Sequence, residues 1–539
     1  MTENRFWEKE SFLIITLIVI CLALFFFRLG TRPVWDIDEG KHAVTSKDMV
    51  LSGDWVTPQY NGENFYDKPP LYNWFAAVSF LVLGFSAFAA RLPAAVLGFG
   101  CVMITYLLAR RMFNRQVAFL SAVVLATSVE YIVLSRVVVH DISLVFFDTL
   151  ALALFFLGYK SERHRKRNFL LGYAALGMAV LAKGPVGVAI PAMIIGLFLI
   201  FRSQLCFLKE MQIGWGILLF IAVAAPWYIL ISLQNPDYFE YFFIEKNFGS
   251  FSSKASRHPE PFYYFIPVLL GGFFPWSCFL PLAVIRSLRF YLKNKRDEII
   301  FLLIWFGFIF FFFSTARSKL ATYILPLFPA VSILVGVLWH DLLNSPTRQL
   351  RKGFIFSFLP IVIIFPLALV YIWLYPPVQL YSDSGIDLTR LYYFSFWIVT
   401  CITVSFSMLL MKKDKFFFAG IVGMIVSAFL LFLLFMVPLI NPYRSTQELV
   451  YKFDQVQPQK ESLVFFREER ESALFYSNRS VLVLDTPQQL KEYLTSKKNV
   501  YCILETDDLE RIEDLKQFFD IVDQVGNKLL ITNKKLQPG

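Results

Sequence analysis

Side chains that could bind an anion and move a proton are concentrated in short segments between the long apolar stretches of the chain. They are Asp38, Glu39, Asp67, Lys68, Asp141, Lys183, Lys319 and Tyr323. Lysine ammonium groups hold phosphate by charge-assisted hydrogen bonds, and a carboxylate can accept a proton from a hydroxyl group. These segments therefore predict a site where an anionic substrate, such as a lipid phosphate, reacts with an acceptor hydroxyl.

Each segment also has a structural interpretation. The acidic pair could cap the amphipathic helix predicted over 39–51, and the Pro-Pro that follows Lys68 is mainly a turn signal. Asp141 and the histidine before it could be a polar pair at the end of a membrane span, while Lys183 could lie at the tip of a helical hairpin. Both interpretations stay open for single residues. The convergence of the segments on one predicted side of the membrane favours a site.

The composition indicates an integral membrane protein. Of the 539 residues, 57% are hydrophobic and 17% are charged, whereas soluble domains have about 45–50% and 25%. Mean hydropathy is +0.56. These values exclude a soluble multidomain enzyme and a disordered chain, and the six cysteines have no paired spacing typical of a metal module. The formal charge of +10 fits the excess of Lys and Arg in cytoplasmic loops, so no nucleic-acid partner is predicted.

Thirteen stretches are long and apolar enough to be membrane helices. They are 11–28, 92–109, 117–135, 142–159, 168–182, 185–201, 213–232, 262–285, 298–315, 321–339, 354–375, 392–410 and 416–438. With the N-terminus inside, every loop rich in Lys and Arg then falls on the cytoplasmic side. The apolar segment 71–86 is predicted as an interfacial or re-entrant helix, because a fourteenth span would reverse all later loops.

The chain is predicted to divide into a membrane domain over 1–439, with a long first outer loop at 29–91, and a small soluble domain over 440–539. The tail loses the long apolar runs and alternates strand-like with helical pieces, which predicts an α/β fold. Its strand-like pieces are 462–466, 481–484, 500–504 and 528–532. Thirteen spans place this domain and the candidate site residues on the outer, periplasmic side.

Several motifs resemble those of the bacterial aminoarabinose transferase family, which belongs to the C-type glycosyltransferases together with the protein O-mannosyltransferases. The motifs are WDIDE at 35–39, GDWVTP at 53–58, YDKPPL at 66–71, ARLP at 90–93, LAKGP at 181–185, APWY at 225–228 and KLATYILP at 319–326. Thirteen spans followed by a small outer domain are also similar to this family. The resemblance therefore implies an α-helical polytopic membrane protein with the C-type glycosyltransferase fold.

The resemblance implies an enzyme of the bacterial inner membrane that uses a polyprenyl-phosphate-linked sugar donor. The acceptor would be lipid A or another envelope glycan or protein on the periplasmic side. Asp38 and Asp141 match positions linked to catalysis, and Glu39 is the acidic neighbour added to this catalytic set. Asp38 is expected to be the base, with inversion at the anomeric carbon.

The resemblance also implies a site for the donor phosphate. Lys68 is similar to the phosphate-contacting lysine of the family, and Lys183 and Tyr323 match positions near the phosphate. Lys319, which begins the motif that contains Tyr323, is grouped with them. These four residues form the predicted donor-phosphate set.

A divalent metal ion is the one cofactor that the resemblance suggests. Asp67 stands where many relatives carry a glutamate and is a candidate ligand. In the fourth outer loop, Lys246 and Ser250 replace a histidine and an arginine of the family pattern, which leaves His258 as the imidazole candidate. The metal and the identity of the sugar stay open.

The sequence leaves two other functions open. A related transferase could glycosylate protein or another glycan. The alternative of another class is a transporter or flippase for a polyprenyl-linked lipid, but transporters usually show internal repeats and broken spans that meet at the membrane midplane. This chain has no visible repeat and concentrates its polar residues at one interface, which favours an enzyme.

Overall fold

The membrane part of the protein is a bundle of helices. The computed structural model describes residues 9–242, 259–375, 388–456, 463–468, 470–477, 481–496 and 500–534. The α-helices up to the start of the C-terminal domain are Glu10–Cys21, Asp38–Ser52, Leu71–Leu83, Ala87–Met112, Arg115–Ala126, Val129–Leu134, Asp141–Lys160, Arg165–Lys183, Val186–Phe201, Ile213–Gln234, Phe265–Gly272, Leu280–Arg286, Asp297–Thr315, Phe328–Asn344, Arg348–Leu374, Leu388–Leu410, Asp414–Leu431 and Val437–Arg444.

Helical structure is found in all thirteen stretches predicted from the apolar pattern. Within the described ranges, eight helices are long and apolar enough to cross a membrane, and four shorter apolar helices accompany them. The protein is therefore a polytopic, mainly α-helical membrane protein, as predicted. The count of thirteen crossings stays a prediction.

The stretch predicted as a single span over 262–285 is a sharply bent pair of helical segments. Phe262–Gly272 and Trp276–Arg289 meet at an angle of 115°. Pro275 lies at the corner, and proline has no backbone N–H and disfavours helical geometry at the residue before it. Trp276 Nε1 donates a hydrogen bond of 2.9 Å to Thr127 Oγ1, which fixes the corner against a neighbouring helix.

The apolar segment predicted at 71–86 forms the helix Leu71–Leu83, which ends at Gly84 with φ of +76°. Tyr72 and Phe80 are buried against the bundle, whereas Val82 on the other face is exposed. A helix with one buried and one exposed apolar face suits a membrane surface or its edge. Its depth in the bilayer stays a prediction.

The C-terminal domain contains a five-stranded mixed sheet. In spatial order its strands are Val481–Leu484, Leu463–Phe466, Tyr501–Glu505, Lys528–Thr532 and Asp520–Val525. The first three are parallel and the last three are antiparallel. Helices Gln447–Val456, Glu471–Tyr476 and Pro487–Leu494 accompany the sheet. The four predicted strands are present, and the boundary at residue 440 stays a prediction.

The first-loop helix Asp38–Ser52 is fastened to the bundle through the fully buried Arg91. Arg91 Nε and Nη2 donate to the two carboxylate oxygens of Glu39, at 2.7 and 2.9 Å. Its remaining N–H groups donate to the carbonyl oxygens of Leu29, Arg32 and Pro33. All five guanidinium donors are thus used, and the chain segment before the helix wraps around this side chain.

Glu39 is ionised because two arginines face it. Burial alone would raise its pKa, but the charges of Arg32 and Arg91 and the hydrogen bonds from Arg91 and Trp35 outweigh burial and lower the pKa from 4.5 to about 2. Removing one partner of a buried, hydrogen-bonded ion pair leaves an uncompensated charge and costs about 3–5 kcal/mol. The helix that begins at Asp38 therefore depends on Glu39.

This ion pair predicts an acid-sensitive contribution to stability. Between about pH 4.5 and pH 2 the unfolded chain binds more protons at Glu39 than the folded chain, so the stabilisation is complete above this window and is lost as the pH falls through it. In thermal melts in detergent, we expect Glu39→Gln to lower Tm at neutral pH and to reduce the fall in Tm on acidification. Glu63→Gln, exposed in the same loop, should stay within about 0.5 kcal/mol of the wild type. If Tm fell equally with decreasing pH in Glu39→Gln and in the wild type, Glu39 would not be the source of the acid sensitivity.

A second prediction concerns the contact between helices Phe328–Asn344 and Arg115–Ala126. A Cβ atom at Gly336 would overlap Ser121 Oγ and lie 2.9 Å from the Ser121 backbone nitrogen. Overpacking of this kind costs about 1–3 kcal/mol, so Gly336→Ala should lower Tm. Gly307→Ala is the matched control, since no heavy atom lies within 4 Å of its Cβ position. A Tm for Gly336→Ala equal to that of the control would show that the helices are not in close contact there.

Candidate active site

Five of the predicted site residues come together at one end of the bundle. Lys183 Nζ lies 2.5 Å from Asp141 Oδ1 and 4.7 Å from the centre of the Tyr323 ring. Lys68 is close enough to this group for its ionisation to respond to Lys183, Tyr323, Asp141 and Asp38. Carboxylates, ammonium groups and a phenol therefore share one site.

The site is built where secondary-structure elements begin or end. Asp38 is the first residue of helix Asp38–Ser52, and Asp141 is the first residue of helix Asp141–Lys160. Lys183 is the last residue of its helix, and Gly184, with φ of +83°, lets the chain turn there. An acidic group at a helix N-terminus and a basic group at a C-terminus are both favoured by the helix dipole. Local electrostatics thus supports the charges that the site contains.

Lys68 is positioned by a hydrogen-bonded loop. Asn235, just after helix Ile213–Gln234, donates through Nδ2 to Thr57 Oγ1 at 2.9 Å. Its Oδ1 accepts a hydrogen bond of 2.8 Å from the hydroxyl of Tyr66, two residues before Lys68. These contacts hold the first loop on both sides of its turn and present Lys68 to the site. Asn235 lies in no recognisable sequence motif, so the sequence did not indicate this role.

Two positive charges face one another in the site. Burial, and after it the charge of Lys183, lowers the pKa of the Lys68 amine, while Tyr323, Asp141 and Asp38 act in the opposite direction. Like charges held together in a partly buried site are stabilised by an anion that contacts both. The arrangement is therefore suited to a group such as phosphate.

Asp38 and Glu39 have different surroundings although they are adjacent. Asp38 is exposed at the start of its helix, where an acceptor could reach it. Glu39 is buried, and its two oxygens are occupied by Arg91, Arg32 and the backbone N–H of Trp35. The geometry favours a positioning role for Glu39 over the catalytic role expected from the sequence. The helix has no side-chain cap at its N-terminus, so capping does not explain Asp38.

Lys319 makes contacts of another kind. Its buried Nζ donates to the carbonyl oxygens of Glu260, at 2.8 Å, and Ala316, at 2.5 Å. These bonds tie residues 259–260 to the turn before Tyr323. The contacts favour a structural role for Lys319 rather than direct phosphate binding, in contrast to Lys68 and Lys183.

The predicted metal ligands do not form a described site. Asp67 lies 3.3 Å from Lys68 Nζ, which is a cationic neighbour rather than a second ligand, and His258 lies outside the described residues. Within the described ranges, no three His, Cys, Asp or Glu side chains are grouped so that they could hold a metal ion. A ligand set is therefore not defined, and no chemical step is derived through a metal.

His42 and Thr322 at the site are functional candidates that the sequence did not single out, and His140, which the sequence indicated only as a polar neighbour of Asp141, joins them. The rings of His42 and His140 are 4.4 Å apart, and His140 also lies 5.5 Å from the Tyr72 ring. His140 is buried, and no described residue forms a hydrogen bond with either of its ring nitrogens. Thr322 lies close enough to Asp141 for its hydroxyl to act on the ionisation of that carboxyl group. The spacing of His42 four residues after Asp38, on the same helix face, was the available signal.

Comparisons with known proteins show which family the chain belongs to. Residues 67–230, which contain Lys68, Asp141 and Lys183, match the family described as dolichyl-phosphate-mannose-protein mannosyltransferase. The chain is 30% identical over 390 residues to undecaprenyl phosphate-α-4-amino-4-deoxy-L-arabinose arabinosyl transferase 2 of Proteus mirabilis, and this similarity covers 70% of each protein.

Solved structures show the same fold. ArnT from Cupriavidus metallidurans bound to undecaprenyl phosphate has a TM-score of 0.79 with 21% identity, over 97% of this chain and 98% of that one. The archaeal oligosaccharyltransferase AglB from Archaeoglobus fulgidus has a TM-score of 0.54 with 14% identity, over 95% of this chain and 70% of that one. They confirm the C-type glycosyltransferase fold, and the arabinosyl transferases support an enzyme over a transporter. The chain belongs to the undecaprenyl phosphate-aminoarabinose arabinosyl transferase family and is a membrane glycosyltransferase.

Proposed function

We propose that this protein transfers a sugar from a polyprenyl-phosphate donor to lipid A or another envelope acceptor at the periplasmic face of the inner membrane. The observation that carries the proposal is the pair of ammonium groups, Lys68 and Lys183, held beside the carboxylates Asp38 and Asp141. The two ammonium groups suit a phosphate leaving group, and the carboxylate of Asp38 suits proton transfer from an acceptor.

The relatives support a lipid-linked donor. The arabinosyl transferase of Proteus mirabilis is named for undecaprenyl phosphate-linked aminoarabinose, and the Cupriavidus metallidurans structure contains undecaprenyl phosphate. The matching family description names dolichyl-phosphate-mannose. A polyprenyl phosphate is common to all three, whereas the two sugars that are named, aminoarabinose and mannose, differ.

The donor phosphate would lie between Lys68 and Lys183. An ammonium group has three N–H donors, so Lys183 can contact phosphate while it keeps its hydrogen bond to Asp141. Fixed positive groups at the leaving oxygen stabilise the negative charge that develops there in the transition state. The polyprenyl chain would extend among the surrounding helices into the bilayer.

In the proposed reaction, the bond between the anomeric carbon and the phosphate oxygen breaks, and this oxygen keeps the electron pair. An acceptor oxygen forms the new bond from the opposite face of the sugar, so the configuration inverts. Asp38 accepts the proton of the acceptor, because it is exposed to incoming substrate and begins a helix that is fixed by Glu39. Asp141 keeps Lys183 in place.

The acceptor is the less constrained half of the reaction. Lipid A is proposed because the chain belongs to the arabinosyl transferase family. Protein is a second candidate acceptor, because residues 67–230 match a protein mannosyltransferase family. The two acceptors can be separated by offering both to the same enzyme preparation.

The donor is tested with purified full-length protein in lipid vesicles. Defined undecaprenyl-phosphate sugars are offered with lipid A or with an unstructured peptide rich in serine and threonine, and mass spectrometry detects the product. We expect sugar on lipid A and the release of undecaprenyl phosphate. Transfer to the peptide alone would favour the second acceptor, and transfer only from nucleotide sugars would contradict a lipid-linked donor.

Substitutions separate the two proposed roles. Asp38→Asn should lower kcat by about 10²–10⁴-fold, the usual contribution of a general base, while undecaprenyl phosphate still binds. Lys68→Met should weaken the binding of undecaprenyl phosphate, which is measured by titration with a fluorescently labelled form of this lipid. Lys160→Met is the matched control, because Lys160 pairs with Asp297 and Glu298 at the far end of the Asp141 helix. Full activity of Asp38→Asn would show that another group is the base.

A further inference from the structure

The chain segment that leads into Asp38 is held by the C-terminal part of the protein. Four hydrogen bonds join residues 34–36 to residues 441–476. They are Val34 N–H to the Tyr476 hydroxyl at 2.8 Å, Trp35 Nε1 to Asn441 Oδ1 at 3.0 Å, Asp36 N–H to the Arg444 carbonyl at 2.9 Å, and Ser472 N–H to Asp36 Oδ1 at 2.7 Å. These partners are about 400 residues away in the sequence.

Helix Glu471–Tyr476 also packs against the first turn of helix Asp38–Ser52. A side chain at Gly40 would overlap the Cβ atom of Glu471, so the approach of the two helices requires glycine at this position. Lys41 Nζ lies 3.8 Å from a carboxylate oxygen of Glu471. The contact therefore combines close backbone approach with an ion pair.

Lys47 joins the two helices a second time. Its side chain is 3% exposed, and its Nζ donates to the carbonyl oxygens of Leu474, Phe475 and Ser477 at 3.3, 2.8 and 3.0 Å. The last carbonyls of a helix lack partners within the helix and carry partial negative charge, which favours a cation. A buried ammonium is costly unless it is hydrogen-bonded, and this helix end provides three acceptors.

We propose that the C-terminal domain is a positioning element of the active site, and that Lys47 is the positioning residue through which it fixes the direction of the helix that carries Asp38. This inference rests on the proposed function, in which Asp38 is the base. Glu39 fastens the start of the helix to Arg91, and further along Ser46 Oγ donates to Asn73 Oδ1 of the bundle at 3.2 Å. Lys47 lies eight residues after Glu39, about 12 Å along the axis, and its bonds tie this part of the helix to the C-terminal domain.

The other half of the site is held without the C-terminal domain. Lys183 and Asp141 bond to each other from the ends of adjacent membrane helices, and Asn235 fixes the loop before Lys68. Release of the Lys47 contact should therefore displace Asp38 while the phosphate-binding pair stays in place. Turnover and donor binding are expected to respond differently.

The experiment compares Lys47→Met with the wild type in the vesicle assay, and measures kcat for sugar transfer, KM for the donor and binding of undecaprenyl phosphate. We expect kcat to fall at least about tenfold, because the transition state loses stabilisation. The donor KM and the affinity for undecaprenyl phosphate should stay within about twofold of the wild type. Arg351→Met is the control for the loss of a hydrogen-bonded, partly buried cation. Arg351 bonds to Asp414 at 2.7 and 2.8 Å between two other helices.

The controls separate the inference from the proposed function. If the wild type transfers sugar and Lys47→Met does so at the same rate, or if kcat and donor affinity fall together, the positioning role is wrong. If the wild type transfers no sugar from any lipid-linked donor, the proposed function fails instead. Tyr476→Phe, which removes only the acceptor of the Val34 N–H, carries the test if Lys47→Met does not fold. It should lower kcat several-fold at constant donor KM, and an unchanged kcat would again overturn the inference.

Discussion

A buried ion pair between Glu39 and Arg91 fastens the start of the first-loop helix to the membrane helices. Arg91 is fully buried and uses all its donors on Glu39 and on three carbonyls of the preceding segment. An ion pair of this kind adds little net stability compared with apolar packing, but the loss of either partner is costly. The ion pair therefore determines where the start of the helix lies. The position of Asp38, one residue before Glu39, follows from it.

The remaining site residues lie at helix ends for a reason that comes from the bilayer. A charged side chain in the middle of a membrane span costs about 2.5–3.5 kcal/mol on insertion scales, so a site that contains several charges must lie where the spans end. Asp141 and Lys183 are the terminal residues of their helices, and the helix dipole favours both. Their mutual bond neutralises both charges and leaves the lysine with further donors for phosphate.

Much of this architecture was predictable because its signals are local. Long apolar runs predicted the helices, and the motifs around Asp38, Lys68 and Lys183 predicted residues that the fold brings together. The role of Glu39 was not predictable, since its partner Arg91 lies 52 residues away in the sequence. A glutamate in a motif also looks the same in the sequence whether it is catalytic or structural. The edge strand Asp520–Val525 was not predicted, because it begins with aspartate and its residues are exposed or half-exposed. Such features depend on tertiary partners rather than on the pattern along the chain.

The two halves of the site are built into different parts of the protein. The residues that match the mannosyltransferase family, 67–230, include Lys68, Asp141 and Lys183, which are the groups proposed to hold the donor phosphate. Asp38, by contrast, lies before this region, and residues on both sides of it in the chain are contacted by the C-terminal domain. Polyprenyl phosphate is the chemical group shared by the names of the relatives, whereas the sugars that they name, mannose and aminoarabinose, differ. In the proposed arrangement, the phosphate-binding groups lie at helix ends and in the first loop, whereas the helix that carries the proposed base is held from the C-terminal domain, so either part can change while the other stays the same.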